Sequence, residues 1–374
     1  MRLILWMFGV ATLLLAQSPP LLVFVAGSAQ PSPRIPGWEV VAVQAAPNDA
    51  GVRTIEAAVE SARRERHTDP LRTYIAGQGE GAATLFLAVS RRPDLWAAAL
   101  ALGGSPKPAI DSGRLFGANS QLVPVLWITR PEDRLLQPLR AKLAAAGFNL
   151  EPQPPGMTVE QAFQWLATHT RQAFPEKVDC ETGNAAFARC YWVQMTRFDP
   201  AQRNDAVPST RVQPGSGAAL DLGGFGFNLE APGPGLVVEW LPDNYKGPLK
   251  LGDRILSVAG IAVPDAAGYV QMMDQATEQK PVGVIIQRGK DRHRLETRIL
   301  LPKRDEAITV RVQAQFLADS RELLVITRGV TEVRVTLPDY WLPCPINWNG
   351  NDMGKADSPG CWLLALGSQA RKCE

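Results

Sequence analysis

Six short apolar runs alternate with helical stretches in the first half of the chain. The candidate strands are 21–26, 38–43, 71–76, 97–102, 123–128 and a short one at 148–151, and the candidate helices lie near 50–66, 81–91, 133–146 and 158–174. Near-continuous apolar strands that alternate with helices form a parallel sheet covered on both faces. The pattern predicts an α/β domain with a doubly wound, mostly parallel sheet over residues 18–178. Ligands of such sheets bind beyond the carboxyl ends of the strands.

A glycine-spaced turn follows the third strand and leads directly into a helix. It reads GQGEG at 77–81, followed by AATLFLAVSRR. A strand–turn–helix of this form is typical of the nucleophile elbow, where small flanking residues let a strained central residue project above the sheet. With the order of strands and helices, this turn makes the domain similar to the α/β-hydrolase fold, particularly to esterases and carboxylesterases. The resemblance implies a serine nucleophile, an acid and a histidine.

The chain departs from the family at these catalytic positions. Gly79 stands where the serine is expected, and it has no side chain to attack a carbonyl. Asp133 matches the position of the acid, although an N-cap of the following helix is an alternative role. The loop 152–157, where the histidine is expected, contains none, and the three histidines lie elsewhere: His67, His169 (within the last predicted helix) and His293. We therefore expect this domain to be a pseudoenzyme, a hydrolase scaffold without hydrolase chemistry.

Other chemistry receives little support from the sequence. Ser28 and Ser105 lie in loops after strands but have no histidine nearby in the sequence. The GQGEG turn lacks the Lys-Ser/Thr ending of a phosphate-binding loop, so no cofactor is expected. Neither CxxC nor HxxxH occurs, which argues against a metal site. A net charge of +2 gives no general attraction to nucleic acid.

Glycine and proline concentrate between 199 and 235. The chain has 32 Gly and 31 Pro, and this stretch includes the run Pro-Gly-Pro-Gly at 232–235. Such residues mark turns and loops. We therefore predict a linker or irregular extension over 179–217, between the first domain and a second.

The second domain carries a more specific pattern. Gly-Phe-Gly-Phe at 224–227 leads into a short segment, and about 20 residues later comes LKLGDRILSVAG at 249–260. On these motifs and the order of elements, residues 218–303 resemble a PDZ domain of the bacterial secreted-protease type, a β-barrel-like fold. Such a module binds a peptide C-terminus as an added strand, with its carboxylate in a nest of backbone N–H groups. The helix lacks the histidine that selects Ser or Thr, so an apolar peptide end is favoured.

The resemblance assigns the peptide-binding residues one by one. Asp253 is not one of these peptide-binding residues and is expected to be a structural hydrogen-bond acceptor. On the helix, Gly268 with Met272 or Tyr269 with Met273 could face the groove, and both methionines could instead belong to the core. The candidate groove residues are Gly224, Phe225, Gly226 and Phe227 in the carboxylate loop, Asn228 and Leu229 on the pairing edge, and Tyr269, Met272 and Met273 on the helix.

The last stretch, 304–374, is predicted to be a small all-β tail. Alternating patterns at 307–317, 322–328 and 331–337 indicate strands. Three tryptophans follow, at 341, 348 and 362, and are expected to form a miniature core rather than a ligand platform. The sequence-local cysteine pairs are Cys180 with Cys190 and Cys344 with Cys361, which leaves Cys373 over. Connectivity does not follow from sequence, and buried free thiols are the alternative.

The amino terminus, 1–17, reads as a signal peptide. One Arg precedes an apolar run that is shorter than the roughly 20 residues needed to span a bilayer. Cleavage is expected near Ala16 or, alternatively, near Ala29. An exported protein, periplasmic or extracellular, is thus expected, with membrane contact only through an uncleaved segment.

These observations lead to one principal hypothesis and two alternatives. The principal one is an exported protein-binding protein whose PDZ module captures the apolar C-terminus of a partner, beside a degenerate hydrolase domain. The first alternative is a secreted serine esterase or peptidase with an atypical nucleophile, whose PDZ module presents substrate. The second is a purely structural role in the envelope.

Overall fold

The computed structural model describes residues 18–27, 31–130, 133, 135–303 and 308–373. The predicted signal peptide, 1–17, and Ser28 lie outside the described residues, as does the second candidate cleavage site. Within the described part, no helix combines the length and apolar character needed to cross a membrane.

The first part of the chain is an α/β unit built on one six-stranded parallel sheet. Its strands are β1 Leu21–Val25, β2 Glu39–Val43, β3 Thr73–Gln78, β4 Ala98–Leu102, β5 Val125–Ile128 and β6 Leu150–Glu151. Its helices are α1 Asp49–Arg66, α2 Gly81–Arg91, α3 Lys107–Asp111, α4 Leu136–Ala145 and α5 Val159–Ala167. The spatial order is β2-β1-β3-β4-β5-β6, with every pairing parallel. The predicted parallel α/β sheet is confirmed.

Burial of β1 on both faces explains its unbroken apolar run. Alternate residues of this strand belong to two separate cores, one on each side of the sheet. Helices α1, α2 and α4 cover the first core, and α5 covers the second. The turn before α5 forms a capping box, in which the Thr158 hydroxyl and the Gln161 side chain satisfy each other's backbone N–H.

Two helices are shorter than the sequence predicts. Helix α5 ends at Ala167 rather than near 174, so His169 lies beyond it and not within it. Helix α4 begins at Leu136 with Leu135 as its N-cap, so Asp133 is not the cap of that helix.

The predicted linker 179–217 is wrong over its first half, up to Phe198. The chain forms β7 Lys177–Thr182, β8 Arg189–Cys190 and β9 Val193–Phe198 before the proline-rich stretch begins. Strands β7 and β9 were missed because they pair with C-terminal strands more than 100 residues later in the chain, whereas the two-residue strand β8 pairs with β9.

Residues 218–303, here called the inserted unit, form an antiparallel sheet with one helix. The strands are β10 Ala219–Leu220, β11 Gly226–Phe227, β12 Leu236–Trp240, β13 Arg254–Val258, β14 Ile261–Ala262, β15 Lys280–Arg288 and β16 Asp291–Leu300, and the helix is α6 Ala266–Asp274. The sheet order is β10-β16-β15-β13-β12-β11, with β14 paired to β13.

The remaining strands complete a β-sandwich with β7–β9. They are β17 Val310–Leu317, β18 Glu322–Arg328, β19 Val330–Leu337, β20 Cys344–Trp348, β21 Asn351–Ala356, β22 Gly360–Ala365 and β23 Arg371–Lys372. One sheet has the order β21-β20-β18-β17-β7 and the other β23-β22-β19-β9-β8. Both sheets enclose a single core, which includes all three tryptophans expected there. The C-terminal unit therefore uses two separate chain segments, not 304–374 alone, and the inserted unit lies between them in sequence.

The disulfides differ in part from the expected pairs. Cys180 is bonded to Cys190, which is one of the two expected pairs, and this disulfide joins β7 to β8. The pair Cys344–Cys361 is not formed, because Cys361 is bonded to Cys373 and Cys344 is a buried free thiol on β20. Strand pairing explains the difference: β22, which carries Cys361, pairs with β23 immediately before Cys373.

Candidate functional site

The turn at 77–81 has the backbone of an elbow without a nucleophile. Gly79 adopts φ +55°, a left-handed conformation that glycine tolerates without strain. Gly81 packs so closely on β1 that a Cβ would collide with the Val25 carbonyl oxygen. A Cβ on Gly77 would lie 2.6 Å from the Gly81 carbonyl oxygen. Close packing of α2 on the sheet therefore accounts for the glycine spacing by itself.

The side chains at the acid and histidine positions form hydrogen bonds within the loop after β5 and between the loops after β5 and β6. Asp133 accepts hydrogen bonds from the backbone N–H and the guanidinium of Arg130, both at 3.1 Å. Gln153, in the loop where a histidine is expected, accepts the N–H of Thr129 through Oε1 at 2.9 Å. These contacts join the loops after β5 and β6 and occupy both side chains.

None of the histidines lies near the elbow. His67 caps the end of α1, and this helix ends at the amino-terminal edge of the sheet, opposite Gly79. His169 lies at the same edge, where its carbonyl oxygen accepts the hydroxyl of Tyr74 at 2.7 Å. His293 is an exposed residue of β16 in the inserted unit.

Ser105 has a local structural role. Its Oγ accepts the backbone N–H of Lys107 at 3.2 Å, a bond typical of a serine that precedes a short helix. No base contacts it within the described chain, and Ser28 lies outside that part of the chain.

The inserted unit has an open sheet edge at β11. This strand is the last in the sheet order and pairs with β12 alone among the described strands. Gly226 lies opposite Trp240 and Phe227 opposite Val238. Val238 is fully buried, so Phe227 faces the core side of the pair, whereas Trp240 is 57% exposed on the other face.

Backbone donors remain available in the loop before β11. Within the described residues, no hydrogen bond is donated by the amides of Gly223, Gly224 or Phe225. The amide of Asn228 donates to the Val237 carbonyl at 3.2 Å and therefore points toward β12. Because amide directions alternate along an extended strand, the amide of Phe227 points to the open side. Successive free amides of this kind form an anion-binding concavity.

An aromatic cluster lies beside this edge. The ring centroids of Phe225 and Phe227 are 6.3 Å apart, and Tyr269 on α6 meets Phe227 edge-on at 5.7 Å. Tyr269 is 5% exposed. Burial raises the pKa of this phenol to about 12. The hydroxyl therefore stays neutral at physiological pH.

The two methionines of α6 lie in a different environment from Tyr269. Met273 is 5% exposed and belongs to the core, and Met272 is half-buried. Both line a cavity of about 240 Å³ that is bounded by Val258, Ile261 and Ile299 rather than by β11. Of the helix residues that the sequence singled out, Tyr269 is therefore the one that contacts Phe227.

Asp253 has the structural role that the sequence predicts. Its carboxylate is 1% exposed and accepts the backbone N–H of Lys250 at 2.8 Å. Arg288 on β15 forms two further bonds with it, at 2.8 and 2.7 Å. These hydrogen bonds hold the pKa of Asp253 below its usual range, although burial acts in the opposite direction.

Trp240 is an exposed apolar side chain at this edge that sequence reasoning missed. Leu229, which was expected there, is 54% exposed directly after β11, and Trp240 is exposed on the facing strand. A Cβ on Gly226 would lie 3.1 Å from the Cβ of Trp240, so the glycine leaves room for the indole. The signal for Trp240 was its position at the end of the strand sequence Leu-Val-Val-Glu-Trp, but its partner became clear only from the register of β11 and β12.

No protein-family model and no curated protein sequence matches the chain. A solved structure described as a thermostable esterase is similar at 16% identity and a TM-score of 0.32. The match covers 42% of this chain and 56% of the esterase, so the chain spans little more than half the length of that protein.

Proposed function

We propose that this chain is a peptide-binding protein whose inserted unit captures the C-terminal segment of a partner protein at β11. The observation that supports the proposal most directly is the open edge of β11, preceded by the unbonded amides of Gly223, Gly224 and Phe225. In this proposal the peptide adds to β11 as an antiparallel strand, and its carboxylate accepts the loop amides.

The chemistry of the edge favours an apolar peptide end. Phe225, Phe227 and the ring of Tyr269 provide aromatic surface at the loop, and Leu229 continues the apolar surface along the strand. No charged side chain belongs to this aromatic cluster. A C-terminal Leu, Ile or Val side chain would lose exposed apolar area there, at roughly 25 cal/mol per Å² removed from water.

The proposal assigns the α/β unit a non-catalytic role as a scaffold. Gly79 supplies no nucleophile, and the described residues near it supply no histidine. The hydrolase alternative has no side chain in the described part of the chain to support it. It is tested separately below, through a variant that restores the serine.

Export to an oxidising compartment is part of the proposal. The two disulfides, Cys180–Cys190 and Cys361–Cys373, are of a kind that persists in the periplasm or outside the cell.

The test uses the chain from residue 18 onward, because the inserted unit docks on its neighbours. Lys142 on α4 pairs with Asp274 at the end of α6 at 3.3 Å, and Ser216 donates to the Met273 carbonyl oxygen at 2.5 Å. Fluorescence anisotropy would measure binding of labelled heptapeptides that end in Leu, Ile or Val, each with a free or an amidated C-terminus. We expect saturable binding of free peptides and a loss of at least about tenfold on amidation.

A matched pair of leucines provides the control. Leu229 and Leu251 are both exposed in the inserted unit, but only Leu229 adjoins β11. Leu229→Asp should weaken binding by at least about fivefold, and Leu251→Asp should leave it unchanged. Equal binding of amidated peptides, or equal effects of the two substitutions, would contradict the proposal.

A further inference from the structure

A charged cavity lies between the α/β unit and the β-sandwich, far from β11. Its volume is about 330 Å³. The end of α1, the turn after α2 and the segment after α5 form one wall, and the β8–β9 turn with β19 forms the other. Because α1 and α2 run back from the carboxyl ends of the strands, the cavity lies at the sheet edge opposite Gly79. It is thus separate from both sites that the sequence indicated.

Four arginines line this cavity, and one of them forms direct ion pairs. Arg92 forms ion pairs with Glu56 and, at 3.1 Å, with Asp94. Within the described chain, Arg63, Arg171 and Arg189 have no carboxylate within ion-pair distance. Three carboxylates, those of Glu56, Glu60 and Asp94, also line the cavity, so the lining carries one more positive than negative charge.

Two of these cations are partly removed from water without adequate hydrogen bonds. Arg63 and Arg171 are half-buried, and the Nε atom of each is buried and has no hydrogen-bond partner. Their terminal nitrogens donate to the Pro70 carbonyl oxygen at 3.5 and 3.4 Å, and Arg63 also donates to the Thr73 hydroxyl at 3.4 Å and Arg171 to the Gln172 carbonyl oxygen at 3.2 Å. Burial lowers the pKa of both guanidinium groups, and their mutual repulsion lowers that of Arg63 further. Both nevertheless remain charged, because a guanidinium does not lose its proton under ordinary conditions.

Tyr191 adds an unpartnered hydroxyl to the same cavity. Its side chain is 7% exposed, and its Oη is buried without a hydrogen-bond partner. Burial raises the pKa of this phenol, and the charges of Arg171 and Asp94, which line the same cavity, act on it as well. Tyr191 also adopts φ +53°, a conformation that costs a side-chain-bearing residue free energy and that clusters at functional sites.

These features share one physical explanation. A buried hydroxyl and two buried guanidinium Nε–H groups are all donors, and native proteins rarely leave such donors unsatisfied. We propose that this cavity binds a small organic anion whose carboxylate or phosphate group pairs with Arg63 and Arg171 and accepts the hydroxyl of Tyr191. The rings of Phe174 and Trp192 also line the cavity and provide an apolar surface for the rest of the ligand.

The test is isothermal titration of the chain from residue 18 onward, at constant ionic strength, with benzoate, phenyl phosphate and benzamide. Benzamide has the shape of benzoate without its charge. We expect saturable one-to-one binding of at least one of the two anions and none of benzamide. Absence of saturable binding by both anions, or equal binding of benzamide, would overturn the proposal.

Adjacent arginines on α1 supply the matched control. Arg63 lines the cavity, whereas Arg64 is exposed and outside it. Arg63→Gln and Arg171→Gln should each weaken anion binding at least about tenfold, and Arg64→Gln should not change it. Tyr191→Phe removes a hydroxyl that has no partner in the described part of the chain, so the variant should fold normally and still weaken binding several-fold. Unchanged affinity in the tyrosine variant, or equal effects of the two α1 variants, would overturn the assignment.

Discussion

Arg311 and Asp179 form a two-point ion pair inside the β-sandwich, although 132 residues separate them in the chain. Arg311 Nε lies 2.8 Å from Asp179 Oδ1, and Nη2 lies 2.5 Å from Oδ2. Their side chains are 6% and 4% exposed. The pair joins β17, which follows the inserted unit, to β7, which precedes it. The ion pair therefore holds together the two chain segments of the sandwich that flank the inserted unit.

Removal of one partner should be costly. Arg311→Met leaves the Asp179 carboxylate buried with the neutral donor of Gln313, at 2.8 Å, as its remaining side-chain partner. We expect the free energy of unfolding of the sandwich to fall by about 3–5 kcal/mol. Urea denaturation followed by tryptophan fluorescence would measure this change.

An exposed ion pair offers the comparison. Arg66 pairs with Glu39 at 2.9 Å, with side chains 45% and 37% exposed, so Arg66→Met should cost less than about 1 kcal/mol. Similar losses in the two variants would show that burial does not determine the strength of the Arg311–Asp179 pair.

Cysteine connectivity gives a second prediction. Non-reducing peptide mapping should recover Cys361 linked to Cys373, and iodoacetamide at pH 8 should modify Cys344 only after unfolding. Cys344 is buried, and burial raises the pKa of its thiol to about 11, so the reactive thiolate is scarce in the folded chain. Recovery of a Cys344–Cys361 peptide, or rapid labelling of the native chain, would contradict the structure.

Local patterns predicted the α/β sheet, but they did not predict the sandwich. Leu21–Val25 is buried on both faces, so its unbroken apolar run identifies it without knowledge of its partners. Lys177–Thr182 contains Asp179 and Glu181, which are buried only because residues far along the chain pair with them. Nothing near this strand in the sequence supplies those partners, so it resembled a linker.

The same distinction applies to the candidate sites. The acceptor Asp253 depends on contacts within about 40 residues, and the sequence motif identified its structural role. Tyr191 and Arg171 form their cavity with Arg63, more than 100 residues earlier. A cavity between two units forms only when the units pack against each other. No local pattern in the sequence predicts that packing.

Restoration of the missing serine should not restore hydrolysis. Gly79→Ser places a hydroxyl in the elbow at the cost of about 1–2 kcal/mol of left-handed strain, but no histidine is available to activate it. Hydrolysis of p-nitrophenyl acetate and fluorophosphonate labelling should stay at the level of the starting protein. Gly103→Ser is the matched control, because Gly103 also has a left-handed φ, +65°, and a Cβ there meets no atom within 4 Å. Labelling of the Gly79 variant alone would favour the hydrolase alternative.

The buried phenols predict how stability changes at high pH. Burial raises the pKa of both Tyr74 and Tyr269 to about 12, whereas an unfolded chain releases these protons near pH 10. The folded state thus holds more protons than the unfolded state between these values, so its stability is full below about pH 10 and declines as the pH rises toward 12. Urea midpoints at pH 9, 10 and 11 should show this decline. A Tyr74→Phe/Tyr269→Phe variant, which has neither group, should show a shallower decline, and parallel curves for the two proteins would contradict the assignment.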